Sequence, residues 1–247
     1  MGLLPTQKTK LRTDLRDQVI LLYGPPKIGK TSFISQFPKG LILATEPGTK
    51  GQEVYEVSID SWETFTQVLV ELENSATQKK LKYNMLSVDT VENLYLLCQA
   101  YVCKQLNIDY PGKAKGAGWQ AVFNELRRGL MRASSIPGMG LILTAHAKTA
   151  RLTNRHGADF TMTVPSLPES VRTMLVGSSD VILFFTNEYE LDKDGTPLEK
   201  RTIKTKSHPD YEAGDRHGML PESIPLDYKV FIDTWTRCAK EKQNAVK

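Results

Sequence analysis

Eight consecutive residues, Gly24-Pro25-Pro26-Lys27-Ile28-Gly29-Lys30-Thr31, followed by Ser32, satisfy the spacing G-x-x-x-x-G-K-[ST] directly after the apolar run at residues 19–23. In that order of strand, loop and helix, each fixed position has a chemical reason. Gly24 and Gly29 let backbone amides wrap a polyphosphate, and a helix opening near Lys30 aims its positive end at the same anion. Lys30 reaches the β and γ phosphates of a nucleoside triphosphate. Thr31 offers a hydroxyl to Mg²⁺, whose small octahedral shell takes one or two protein oxygens beside phosphate and water.

A second oxygen for the metal belongs at the end of a neighbouring apolar strand, and Met85-Leu86-Ser87-Val88-Asp89 ends on Asp89. Asp89 is equally suited to cap a helix starting near Val91, and one residue can serve both ends. Thr90 follows it where a second acid would otherwise stand, so the group that activates water must come from elsewhere. Glu46, placed after Leu41-Ile42-Leu43-Ala44-Thr45 and before Pro47-Gly48, falls at the carboxyl end of an adjacent strand. Ligands of open α/β sheets bind at that edge, and a carboxylate there polarises an attacking water.

The elements that position these residues are apolar runs at 19–23, 41–44, 84–88, 141–145 and 181–185, separated by longer helical patterns. Several runs carry too few polar residues to be half exposed, so a mainly parallel sheet covered on both faces is expected. Asp60 and Glu63 form a capping box ahead of a stripe through Trp62, Phe65, Leu69 and Leu72. A second stripe runs through Val91, Leu94, Cys98 and Val102, and a third through Trp119, Val122, Leu126 and Leu130. After Phe185 the pattern becomes an antiparallel hairpin, 189–191 and 198–205 around Asp192-Lys193-Asp194-Gly195. A final helix is expected over 227–242. One domain over 1–247 is expected, with an extension at 1–17 and a flexible tail at 243–247.

Composition excludes other classes. A chain of 247 residues with 40% apolar and 24% charged side chains is neither disordered nor fibrous. The balance of 32 Lys plus Arg against 28 Asp plus Glu, a net of +4, permits DNA without arguing for it. Cys98, Cys103 and Cys238 have no metal-ligand spacing, nor have His146, His156, His208 and His217, which suits a reducing cytoplasm. No apolar run approaches the ~20 residues that span a bilayer, so no membrane role is expected.

The ordered set of the phosphate loop, Ala44-Thr45-Glu46, Ser87-Val88-Asp89-Thr90, Thr144-Ala145-His146-Ala147-Lys148 and Arg216-His217-Gly218-Met219-Leu220-Pro221 resembles the RecA-type recombinase core. More narrowly, it is similar to phage-encoded RecA-like single-strand annealing proteins, over about residues 19–228. The resemblance implies an α/β, three-layer P-loop NTPase fold: a mainly parallel central sheet, helices on both faces and a C-terminal antiparallel hairpin. It implies ATP and Mg²⁺ as ligands, single-stranded DNA as partner, assembly with ATP at subunit interfaces, contact with a single-strand-binding protein and a place in the host cytoplasm. His146 would sense the γ-phosphate and lead into a DNA-binding loop over 148–168 that holds Lys148, Arg151, Arg155 and His156 against Asp159, with Phe160 able to stack a base. Lys113 and Lys115, in the glycine-rich stretch 111–118, are placed like the other DNA-facing loop, although flexible linkers share that composition.

Lys204 and Lys206, which strand alternation would put on one face, resemble the pair that RecA inserts into a neighbour's ATP site, and Arg216 is a second candidate for that role. With only 1–17 ahead of the first strand, the polymerisation module of full recombinases is not expected, so assembly would be weak or dependent on DNA. Two other readings use the same loop. In a small-molecule or nucleotide kinase, 148–155 would close as a lid, and in a nucleotide-gated replication adaptor turnover would be negligible. A GTPase is disfavoured because no Asn-Lys-x-Asp occurs.

Overall fold

Each of the five apolar runs is a strand buried from both sides. The computed structural model describes residues 4, 6–153, 157, 159–191, 194 and 197–245. In chain order the elements are β1 (Val19–Gly24), α1 (Lys30–Ile34), β2 (Gly40–Ala44), β3 (Tyr55–Ser58), α2 (Trp62–Thr77), β4 (Met85–Asp89), α3 (Val91–Leu106), α4 (Ala117–Ser134), β5 (Gly140–Thr153), β6 (Asp159–Pro165), α5 (Glu169–Ser178), β7 (Val181–Leu191), β8 (Pro197–Lys204), β9 (Gly214–Asp215), β10 (Ser223–Pro225) and α6 (Tyr228–Ala245). The sheet order is β10-β8-β7-β1-β5-β4-β2-β3. The strands from β7 to β3 in that order pair in parallel, and β8 and β10 are added antiparallel.

This is the three-layer arrangement expected: a mainly parallel sheet, helices on both faces and an antiparallel C-terminal pair. On one face Trp62, Phe65, Leu94, Leu126 and Val171 of α2 to α5 pack on Leu21, Leu43, Leu86 and Leu143. On the other, Phe33 of α1 and Phe231 and Trp235 of α6 cover Ile20, Leu22 and Phe185. Large side chains buried to this extent each stabilise by about 1.5–3 kcal/mol relative to exposure. Among the described residues, no helix is long and apolar enough to cross a membrane.

Close packing of α4 on α2 depends on Gly129, where a Cβ would come within 2.6 Å of the Trp62 ring and 3.1 Å of Phe65. The indole is further fixed by Nε1 donating to Glu125 Oε1 at 2.9 Å. Gly129→Val is expected to cost about 1–3 kcal/mol through overpacking, read as a lower denaturant midpoint with unchanged slope.

Several expectations are corrected. The cap of α2 is Ser61, whose side chain accepts from the Thr64 amide; Asp60 instead accepts from the Thr64 hydroxyl. Trp119 is 47% exposed and leaves the core stripe, because its neighbour Gly118 takes the tight contact with Pro111 in the first turn of α4. The segment after His146 is regular structure: β5 continues to Thr153 and pairs with β6 from Ala147↔Pro165 to Thr153↔Asp159. Strand β7 likewise runs unbroken to Leu191, and its turn residues Asp192, Lys193 and Gly195 lie outside the described residues. The expected flexible tail is helical as far as Ala245, where Gln243 donates to Thr13 Oγ1 at 2.7 Å; residues 246–247 lie outside the described residues.

Candidate functional site

Strand β1 ends on Gly24, and the chain turns at once into the phosphate loop. A Cβ on Gly24 would come within 2.6 Å of the Phe185 carbonyl on β7, so only glycine lets the loop leave the sheet there. Lys27 and Gly29 both take positive φ, 63° and 114°, which curls the loop around its own interior. Inside that curl the Lys30 ammonium donates to the carbonyls of Gly24 at 3.0 Å and Pro25 at 2.9 Å. Burial pushes its pKa below the ordinary lysine value, while the charges of Asp89, Glu92 and Glu46 act in the opposite direction. The helix expected to aim its positive end here, α1, has 5 residues, so the cradle rests on loop amides and on Lys30.

Thr31 Oγ1 donates to Asp89 Oδ2 at 2.7 Å, and the other Asp89 oxygen accepts from the buried hydroxyl of Thr144 on β5. The register β4–β5–β1 brings these three groups together, although Asp89 lies two strands away from the loop. Asp89 is not the helix cap: Thr90 holds that position, and both Asp89 oxygens are engaged elsewhere. Gly48 forms the rim above the pair, since a Cβ there would stand 3.4 Å from Thr31 Oγ1 and 3.7 Å from Asp89 Oδ2. One hydroxyl and one carboxylate beneath an open rim suit Mg²⁺, which completes its shell with phosphate and water. Among the described residues, no group of three or more His, Cys, Asp or Glu forms a protein-only metal cage.

Strand β2 delivers Glu46 to the same edge. Thr45 ties the two strand ends together: its amide donates to Asp89 O at 2.9 Å, its hydroxyl donates to Thr90 O at 2.9 Å, and the Thr90 amide donates back to that hydroxyl at 2.8 Å. Glu46 Oε2 accepts from Asn93 Nδ2 at 3.0 Å, so an amide from the first turn of α3 orients the carboxylate. His146 pairs in register with Gly24, which puts it on the strand beside the loop.

Sequence reasoning missed Glu92. Its Oε1 accepts from the His146 amide at 2.5 Å and lies 2.9 Å from His146 Nδ1, while its Oε2 is buried without a hydrogen-bond partner among the described residues. Local sequence carried one usable signal, an acid in the first turn of a helix that begins at the sheet's carboxyl edge.

The remaining candidates are more scattered. Lys148 donates to Leu167 O at 2.8 Å, and Arg151 is bound to Asp159 at 2.6 Å on the ribbon formed by β5 and β6. Arg155 and His156 lie outside the described residues. Lys113 pairs with Asp109 in a 3-10 turn, Pro111–Ala114, where a flexible stretch was expected, and Lys115 is exposed at its end. Lys204, the last residue of β8, pairs with Glu188, and Lys206 falls beyond the strand, so alternation does not relate the two. Lys206 reaches Asp215 at 3.7 Å and Arg216 reaches Asp180 at 3.0 Å. Asp180 also accepts from the Val19 amide, at the opposite end of β1 from the phosphate loop. Lys206 and Arg216 are therefore not part of this chain's own pocket.

Comparison with known proteins gives three kinds of likeness. The sequence profile described as AAA domain (AAA_24) matches residues 16–217. The SPbeta prophage-derived uncharacterized protein YorG of Bacillus subtilis (strain 168) is 24% identical over 196 residues, which are 78% of this chain and 56% of that protein, so the chain spans little more than half of that relative's length. Among solved structures, a RadB recombinase overlaps with a TM-score of 0.45 at 12% identity, covering 87% of this chain and 89% of that one. The flagellar accessory protein FlaH of Methanocaldococcus jannaschii overlaps with a TM-score of 0.40 at 10% identity, covering 84% of each chain.

Proposed function

Because the chain belongs to the AAA domain family, matched over residues 16–217, we propose that it is an Mg²⁺-dependent ATPase that acts on single-stranded DNA and promotes annealing or strand exchange in phage recombination. The observation that carries the nucleotide half is the convergence of Lys30, Thr31, Asp89 and Glu46 at the ends of β1, β4 and β2. Lys30 exchanges its two loop carbonyls for phosphate oxygens, and the backbone N–H groups of residues 27–32, past the two prolines that have none, wrap the chain of phosphates. Thr31 and Asp89 would hold Mg²⁺, which would supply positive charge against the phosphates. Glu46, oriented by Asn93, polarises the attacking water, and His146 faces the terminal phosphate. The prophage-derived relative supports the phage setting.

The DNA half is supported by two ribbons, β5–β6 and β7–β8, that extend past the nucleotide edge of the sheet and carry exposed Phe160 and Tyr189. The Arg151–Asp159 pair is a surface one, with the arginine side chain 77% exposed, so it is screened by solvent and yields readily to a phosphate. Lys148, Lys113 and Lys115 join it in this reading, as does Arg155 by its place in the sequence alone. Lys204, Lys206 and Arg216 serve a second copy's pocket in this reading, in an assembly that forms on DNA beside a single-strand-binding protein.

The test is ATP turnover with and without single-stranded DNA, together with DNA affinity over a salt series. Affinity is expected to fall with a log–log slope of about −0.7 per phosphate contacted, and Arg151→Ala to flatten the slope by about that amount. Turnover indifferent to DNA and a flat salt response would overturn the DNA half. Phosphate released only when a small-molecule acceptor is supplied would make the chain a kinase.

A further inference from the structure

The pocket holds a carboxylate that the proposed reaction does not yet use. Glu92 lies in the first turn of α3, three residues after Asp89, and its Oε1 binds both the amide and Nδ1 of His146, at 2.5 and 2.9 Å. Two bonds from one oxygen fix the imidazole in position and in rotation. A carboxylate only accepts, so Nδ1 carries a proton, and of the two neutral tautomers this contact selects the one with Nε2 unprotonated. In water the opposite tautomer, with hydrogen on Nε2, prevails; Glu92 therefore selects a form that the side chain does not favour alone.

The backbone of His146 is held on its other side too, since its carbonyl accepts from the Ser166 amide at 2.8 Å, immediately after β6. His146 is thus clamped where β5 leaves the parallel sheet, its last partner on β1 being Gly24. Glu92 Oε2 is buried and without a partner among the described residues, and the charge of Glu92 acts on Lys30. A buried carboxylate oxygen left without a partner is costly in a purely structural residue.

We propose that Glu92 is a positioning residue for the nucleotide reaction: it sets the tautomer and orientation of His146 and anchors the root of the β5–β6 ribbon to the pocket. The inference rests on the nucleotide reading above, and its first readout does not. In ¹⁵N-labelled protein, long-range ¹H–¹⁵N correlation, which distinguishes the two neutral tautomers from each other and from the doubly protonated ring, is expected to show His146 protonated on Nδ1. Glu92→Ala is expected to shift it toward Nε2 protonation and to lower kcat by about 10²-fold with little change in the ATP KM, the cost of a misoriented group. Glu92→Gln retains an acceptor oxygen of the same reach, so it is expected to keep the Nδ1 form and recover most of the turnover.

A wild-type tautomer in Glu92→Ala would overturn the proposal. So would a Glu92→Gln protein with the Nδ1 form intact and turnover lost, because Glu92 would then act on the reacting atoms directly. A wild-type protein with no ATP turnover would defeat the nucleotide reading, while the tautomer measurement would still decide whether Glu92 governs His146.

Discussion

Replacing Lys30 by alanine is expected to lower affinity for ATP by about 10- to 150-fold, the equivalent of the ~1.5–3 kcal/mol that charge-assisted hydrogen bonds contribute. Hydrolysis should fall further, because the ammonium interacts more strongly as charge builds on the departing phosphates. The fold should survive. Lys30 contributes its Nζ contacts to two loop carbonyls, and burial already disfavours its charged form, so truncation removes a desolvated cation and opens no large cavity. Titration with a fluorescent ATP analogue beside a thermal melt separates the two effects: unchanged nucleotide affinity would remove the phosphate-cradle assignment, whatever the melt shows.

Glu46→Gln should behave in the opposite way, with ATP affinity within a fewfold of the wild type and turnover lower by about 10²–10⁴-fold, the usual contribution of a general base. The amide retains an oxygen for Asn93 Nδ2, so the side chain keeps its orientation and loses the charge that draws a proton from water. Single-turnover measurements with saturating protein isolate that step from product release. Full turnover in this variant would transfer the base to another group, and Glu92, whose charge also reaches Lys30, would be the first to examine.

How much of this was readable in the chain follows from which contacts are local. The loop 24–31 and its strand, Asp89 and Glu46 could be placed from contiguous runs, since each is the last residue or the sequel of a buried strand. Strand β3 was missed because it is an edge strand: Tyr55 is 60% exposed, and Tyr-Glu-Val-Ser shows no buried run. The continuation of β5 past His146, and with it its partner β6, was hidden among threonines and charges that read as loop, although on β5 Lys148, Ala150 and Leu152 alternate with Thr149, Arg151 and Thr153 as a two-sided ribbon requires. Glu92 was invisible for a different reason, since its partner His146 is 54 residues away and only the adjacency of β4 and β5 brings them together. Lys206 and Arg216 show the converse case: the motif was present in the sequence, and the antiparallel return of the chain places it away from this chain's own pocket.

Strand β5 passes from the sheet into the ribbon with no joint between them. Thr153 stands seven residues past His146, about 23 Å at ~3.3 Å per residue. Such a beam is a lever with its fulcrum at the pocket: a tilt of about 5° at His146 sweeps the tip through about 2 Å over that length. A displacement too small to disturb the sheet's hydrogen bonds thereby becomes, at the far end, comparable to a large part of the rise between stacked bases.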